Sequence, residues 1–443
     1  MHGLLVLLRR LSWPYIVLLV AANLYFYNYA RIASLVHPSA DIRFNIYGDP
    51  QIEGDAKLQR QPRIGRYDLL ANDMYIHHVY RSTIDAFNPH YVVTMGDIFS
   101  SQWVNRQEYY RRIHRFKWIS RQIDSNNNTI EGDHIYYFLA GNHDIGYGGE
   151  TQKYHITRYL NNFGLLNRKW YVDFERASDE HTGKPGLHKV AILNAMNLDA
   201  TRNEEYRREA WGFIRDLAAE RASRPEIPFI LFLHIPLNKP AGVCEPSPVT
   251  RLKDGFVAYQ DYLSPATSAF LLHCLRPTVI LNGHDHNGCL ATHLVRNATH
   301  LPVHLSDSDK YLQSSSDLCS MTLEELDMHS SEIEAFAKRT VLTLGSPNIT
   351  TADHLWSTIE ITARSTMGAY GGVTGIFDIR RNHAANRDGI FHPRGMREMS
   401  ASADGYEYQY REVALGHHIA IRVLLIADIV SAVVVPALLL LVK

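Results

Sequence analysis

Five short apolar segments of this 443-residue chain each run into the same kind of polar knot. Residues 44–47 lead to Gly48-Asp49-Pro50, 91–95 to Gly96-Asp97, and 135–139 to Gly141-Asn142-His143-Asp144. Residues 229–233 lead to His234, and 278–281 lead to Gly283-His284-Asp285-His286. Segments with helical spacing stand between them, at 67–87, 102–122, 204–221 and 264–275, with a further strand at 189–193. Strands alternating with helices predict a layered α/β fold. Sheets of that kind bind ligands beyond the C-terminal tips of their strands. One such ending is an ordinary turn, because Asp, Asn and Gly are turn residues. Five endings that all offer carboxylate, amide or imidazole groups predict a site assembled from Asp49, Asp97, Asn142, His143, His234, His284 and His286. Mixed oxygen and nitrogen donors suit Mn²⁺, Fe or Zn²⁺ better than Ca²⁺.

Hydrophobic residues make up 46% of the chain, which is enough for a packed core. A formal net charge of −1 argues against nucleic acid as a partner, since phosphate backbones select basic faces. Four cysteines exclude a disulfide-built scaffold, and no Cys-x-x-Cys pair marks a structural zinc site. Past the last knot, residues 321–339 read as an acidic surface helix. Residues 357–362 and 374–379 read as two more strands around the Gly-rich MGAYGG stretch, and 381–422 as a polar juxtamembrane linker.

Two apolar runs, 11–29 and 423–442, are each about long enough to span a bilayer as a helix. Tyr25, Tyr27 and Tyr29 close the first, where tyrosine suits the headgroup zone. Asp428 inside the second is expected to face the other helix or the interface. The basic start of the first run also suits a cleaved signal peptide, but its aromatic end is a poor cleavage site; read as two spans, the chain is membrane-integral, with Arg9 and Arg10 placing residues 1–10 in the cytosol and residues 41–380 forming a lumenal domain. The sequons at Asn127, Asn297 and Asn348 agree with that side. An oxidising compartment lets cysteines pair, and four allow three full pairings. Cys244 with Cys289 would tie a loop to the rim of the site, whereas Cys274 in SAFLLHCL reads as core.

The order GDPQ, GDIFS, GNHD, a strand ending in His, and GHDH resembles the calcineurin-like metallophosphoesterases over residues 41–290. The resemblance implies a β-sandwich flanked by helices, with two divalent ions at the strand ends. It implies that Asp49 and His286 hold the first ion, that Asp97 bridges, and that Asn142, His234 and His284 hold the second. His143 would be the catalytic general acid, oriented by Asp144. The first motif departs from the family's Asp-x-His: Gln51 stands in the histidine's place and offers only a carbonyl oxygen. That change should loosen the first site and favour Mn²⁺ over Zn²⁺. Ser100 likewise stands where an Asn or Asp is usual.

The two spans, YGDPQIEGDAKL and RSTMGAYGG together resemble a narrower, membrane-bound branch. That branch trims ethanolamine phosphate from a mannose of the GPI glycan, and the likeness is to the type acting on the second mannose. It implies a phosphodiesterase of the endoplasmic reticulum membrane with a lumenal catalytic domain. Its substrates would be GPI glycolipid or GPI-anchored proteins, and it would support their maturation and export, with cargo-receptor association. An ethanolamine ammonium would want an acidic or aromatic pocket, for which Asp285, Glu245 and Tyr147 in loops near the motifs are candidates, the plainer reading of each being a solvated loop residue. The rival readings are another phosphomonoester or lipid-linked phosphodiester as substrate, or a non-catalytic GPI-cargo adaptor.

Overall fold

The computed structural model describes residues 2–124, 126, 128–130, 132–174, 186–244, 248–296, 312, 314–345, 354–381, 392–393, 398–403, 405–416, 421 and 423–432. In chain order the strands are β1 (Ile42–Tyr47), β2 (Tyr91–Thr94), β3 (Ile135–Phe138), β4 (Arg168–Asp173), β5 (Leu187–Leu193), β6 (Phe229–Leu233), β7 (Thr250–Lys253) and β8 (Phe256–Gln260). They continue with β9 (Val279–Asn282), β10 (Cys289–Arg296), β11 (Val341–Leu344), β12 (His354–Thr362), β13 (Val373–Arg381), β14 (His392–Pro393), β15 (Glu398–Ala403) and β16 (Tyr406–Ala414). Two seven-stranded sheets result, ordered β14-β15-β16-β13-β1-β2-β3 and β11-β10-β12-β9-β6-β5-β4, with β7 and β8 as a separate hairpin.

The sheets pack face to face. Phe44, Ile46, Val93 and Met95 of the first interdigitate with Val190, Ile230, Phe232 and Leu281 of the second in one buried cluster. The alternate residues Tyr47, Val92, Ala191, Leu231 and Ile280 turn outward and lie under helices. Strands covered on both faces read as unbroken apolar runs, which is why β6, FILFL, has every residue buried. Strands β1, β2 and β3 run parallel, as do β5, β6, β9 and β12. Parallel strands deliver their C-terminal tips to one edge, so the five polar knots converge there.

The linker expected at 381–422 is corrected. β16 pairs with β13 from Val373↔Ala414 to Arg381↔Tyr406, and β15 adds to β16, so this stretch completes the first sheet. Tyr408 and Tyr410 are buried at alternate positions, and that apolar contact holds the strand in place despite its polar neighbours. The acidic helix expected at 321–339 is two helices, Leu323–Met328 and Ser330–Thr340, broken at His329. Cys274 is bonded to Cys319, and Cys244 to Cys289. Asn127, Asn297, Asn348 and Glu245 lie outside the described residues.

The first apolar run belongs to a 34-residue helix, His2–Leu35, whose Trp13–Leu35 portion is long and apolar enough to cross a membrane. Of the second run, Val423–Ala432 is an apolar helix, and the remainder lies outside the described residues. The two helices meet through polar groups. Asn23 Nδ2 donates to Asp428 Oδ1 at 2.9 Å, and Ser431 Oγ bonds the Tyr15 hydroxyl at 3.0 Å. Asp428 thereby faces its partner helix.

Candidate metal centre

Four of the residues at the strand tips hold the backbone in the left-handed region. Asp49, Gln51, Asp97 and His284 have φ of 34°, 42°, 46° and 71°. Non-glycine residues take such angles at a cost of order 1–3 kcal/mol each, and functional sites concentrate that strain. The glycines beside them permit the crowding. A Cβ on Gly96, itself at φ 102°, would lie 2.5 Å from His234 Nδ1. One on Gly141 would lie 2.2 Å from Asp97 Oδ1, and one on Gly283 2.6 Å from Asp49 Oδ1. The motif glycines are therefore positions where one tip touches the next.

Two groups of donors form there. Asp49, Asp97 and His286 bring one ligand atom each to within 4.8 Å of one another, and so do Asp97, His234 and His284. Asp97 belongs to both. His286 Nε2 lies 3.3 Å from Asp49 Oδ2, and His234 Nε2 lies 3.4 Å from Asp97 Oδ1. Asn142 joins the second group, with Oδ1 3.2 Å from His234 Nε2. Gln51 joins the first: its amide nitrogen lies 3.3 Å from Asp97 Oδ2 and 3.2 Å from His286 Nε2.

The imidazoles are set from behind. His234 Nδ1 bonds the Met95 carbonyl at 2.7 Å, and His284 Nε2 bonds the Gln260 carbonyl at 2.9 Å. A carbonyl accepts, so those nitrogens carry protons, and the opposite nitrogen of each ring is the one turned toward the site to bind an ion. Burial, together with the nearby His234 ring, drives the His284 imidazole down to about 4, which keeps it neutral. Burial opposes the charge on Asp49, but the His286 hydrogen bond and the neighbouring His234 ring outweigh it and hold the carboxyl below the usual range. Asp49 Oδ1 is buried without a hydrogen-bond partner. An orphaned carboxylate oxygen beside three imidazoles and a shared aspartate is a donor set that fits divalent cations.

His143 stands apart. Its backbone N–H donates to Asp97 Oδ1 at 2.8 Å, while its ring Nε2 lies 3.8 Å from Asp97 Oδ2. The side chain is 37% exposed, so the ring sits at the mouth of the site. Asp144 does not orient that ring. Its carboxylate accepts from the backbone N–H groups of Gly141, Ile98 and Phe99 at 2.9, 3.3 and 3.2 Å. Burial beside the Asp97 charge raises its carboxyl to about 7. Asp144 therefore staples the Asp97 loop to the Asn142 loop. Tyr147 is buried, and its ring centroid is 6.2 Å from that of His284. Asp285 is also buried, and it binds the Asn287 N–H at 3.0 Å. Ser100 Oγ accepts from Arg112 Nη1 at 3.0 Å.

A cavity of about 900 Å³ opens beside the centre, running from Gln51 to Trp103 and to the turn Met367, Gly368 and Ala369. Its walls also carry Asn72 and Asn105, and Trp103 is 57% exposed.

The spacing of these motifs along the chain decides the family: residues 42–288 match the model of the calcineurin-like phosphoesterases. The chain belongs to the calcineurin-like phosphoesterase family. It is 31% identical over 270 residues to an uncharacterized protein of Schizosaccharomyces pombe, across 54% of this chain and 61% of that one. It is 26% identical to protein TED1 of Saccharomyces cerevisiae, across 56% of this chain and 65% of the relative. It is also 26% identical to metallophosphoesterase 1 of Ailuropoda melanoleuca, across 54% and 60%. The matches span less than two thirds of each of these relatives. The matched residues 42–288 include every metal-ligand candidate from Asp49 to His286.

A supporting cluster behind the centre was not foreseen. Glu360 on β12 accepts from the Leu237 N–H at 2.7 Å and from Asn282 Nδ2 at 2.6 Å. Its other oxygen meets Lys239 Nζ at 2.8 Å and His293 Nε2 at 2.7 Å. Leu237 follows His234, and Asn282 precedes Gly283-His284, so one buried carboxylate joins the roots of two ligand loops. The only sign in the sequence is a charge at an inward position of an apolar strand, STIEIT.

Proposed function

We propose that the protein is a phosphodiesterase that removes ethanolamine phosphate from a mannose, the second mannose favoured, of the GPI anchor glycan. The observation that carries this reading is the sharing of Asp97 by two donor groups with the His143 ring at their open edge. Asp49, Asp97 and His286, with Gln51, would hold one divalent ion, and Asp97, Asn142, His234 and His284 the other, Mn²⁺ being favoured over Zn²⁺ or Fe. Such a pair supplies charge neutralisation at phosphorus and activation of water for in-line displacement. The chain's own residues do the rest. His143 donates a proton to the departing sugar oxygen, a poor leaving group without one. Asp144 keeps the two loops flanking that oxygen in register. Asn72, Asn105 and exposed Trp103 give the adjoining cavity the mixture of amides and an aromatic face that sugar rings accept.

The narrower substrate rests on the GDPQIEGD and MGAYGG segments, both of which border the centre and its cavity, and on the apolar helix His2–Leu35. A membrane anchor confines enzyme and lipid-borne substrate to one surface and raises their effective concentration. The reading carries with it a lumenal domain in the endoplasmic reticulum and a part in the maturation and export of GPI-anchored proteins. The test is release of phosphoethanolamine from a GPI glycan by the full chain, purified in detergent with Mn²⁺, beside His143→Ala. Release by the unaltered chain alone supports the reading. Hydrolysis of other phosphoesters with none of the glycan refutes the substrate, and glycan binding with no hydrolysis at all points to the adaptor.

A further inference from the structure

The helix Gly65–Phe87 has two unlike faces. One face, with Asp68, Asn72 and Tyr75, lines the cavity beside the metal centre. The other exposes Tyr67, Leu70 and Met74, which are 67%, 56% and 57% accessible, and Ile64 at the helix cap is 62% accessible. The spacing 67, 70, 74 is one helical stripe. Arg63 and Arg66 are exposed at its start, and the Arg66 guanidinium lies 5.9 Å from the Tyr67 ring.

The neighbouring helix says what covers that stripe. Tyr27 of helix His2–Leu35 stacks on His78 with ring centroids 5.1 Å apart, and Ala30 packs with Phe87. Residue numbers rise together on both helices, so the two run in the same direction. Going back from His78 on its own helix leads to Met74, Leu70 and Tyr67. Going back from Tyr27 leads into the apolar part of the first helix. The stripe therefore lies on the bilayer side of the Tyr25–Tyr27–Tyr29 cluster, which marks the headgroup zone. Two unburied arginines set its depth at the headgroup boundary and not at the acyl centre.

We infer that Ile64, Tyr67, Leu70 and Met74 form a membrane-surface contact, with Arg63 and Arg66 on lipid phosphates, that holds the mouth of the cavity at the lipid interface. The inference concerns a surface and stands whether or not the substrate is a GPI glycan.

The test uses the full chain in nanodiscs of phosphatidylcholine with one fifth phosphatidylserine. All described cysteines are in disulfides, so Leu70→Cys and Met328→Cys each accept a single fluorophore. Met328 is 69% exposed on the helices over the second sheet. A quencher carried on the lipid chains should attenuate the probe at position 70 several-fold and leave that at 328 unchanged. Equal, weak quenching at both positions overturns the inference. As a second measurement, Leu70→Glu with Met74→Glu should slow hydrolysis of a bilayer-held phosphodiester at least several-fold. The same variant should leave a soluble aryl phosphodiester unaffected. Loss of both activities together, or of neither, counts against a lipid contact.

Discussion

Replacing Glu360 with Gln isolates the charge at the root of the metal centre. The amide keeps an acceptor for Leu237 N–H and Asn282, but it leaves Lys239, only 1% exposed, without its carboxylate. An uncompensated charge at such depth costs about 3–5 kcal/mol. Titration gives a similar figure. Burial alone would raise the Glu360 carboxyl, yet the Lys239 ammonium and the His293 imidazole bring it to about 2. Against an unfolded value of about 4.3, that shift is worth roughly 3 kcal/mol. Because the folded value is the lower one, this stability is present above about pH 4.3 and is lost as pH falls toward 2. Thermal unfolding of the purified chain at pH 7 should show Glu360→Gln melting roughly 5–10 °C lower. The deficit should shrink only as the pH is lowered from about 4 toward 2. Adding Lys239→Met removes the stranded ammonium and should recover more than half of the loss. If the two substitutions add, so that the double variant is the least stable of the set, the reasoning about a stranded charge is wrong.

Gly141→Ala should lower affinity for Mn²⁺ by at least about tenfold, since its Cβ would lie 2.2 Å from Asp97 Oδ1; metal analysis after gel filtration reads the loss. His143→Ala should keep its metal and lose about 10²–10⁴ in kcat on a sugar phosphodiester. The loss should be far smaller on a nitrophenyl ester, whose leaving group needs no proton. Gln51→His should tighten Mn²⁺ and Zn²⁺ binding several-fold, with Zn²⁺ gaining more, measured by competition with a fluorescent chelator. Opening the Cys274–Cys319 link with Cys319→Ser should destabilise the chain by about 2–4 kcal/mol in urea unfolding.

The elements legible in the sequence are those whose physics is local. Strands β2, β6 and β9 are buried and read as largely apolar runs, and each of them, like β1, ends in residues that only a site explains. What escaped depends on partners far away. β16 alternates Tyr406, Glu407, Tyr408, Gln409 and Tyr410, a period-two signal that its charges mask, and only β13 gives it a place. The pairing of Cys274 was hidden because Cys319 lies 45 residues on, in a short helix of its own. Asp144 was assigned by its neighbour in the motif, but a carboxylate that close in sequence reached three backbone N–H groups instead. Aspartate tolerates the positive φ found at Asp49 and Asp97, but it is equally an ordinary turn residue, so the sequence does not single these angles out.

The first sheet joins the two ends of the chain, since β1 lies between β2 and β13. Ile46 therefore waits for Gly375 to be made before its strand has a neighbour on that side. At about 5–20 residues per second, ribosomal synthesis leaves that edge open for roughly half a minute. Every metal-ligand candidate, Asp49 through His286, emerges before the strand that closes the sheet. Completion of the sheet that carries the centre is thus a late event in synthesis. During that interval β1 presents an unpaired strand edge, the kind of edge that promotes association between chains.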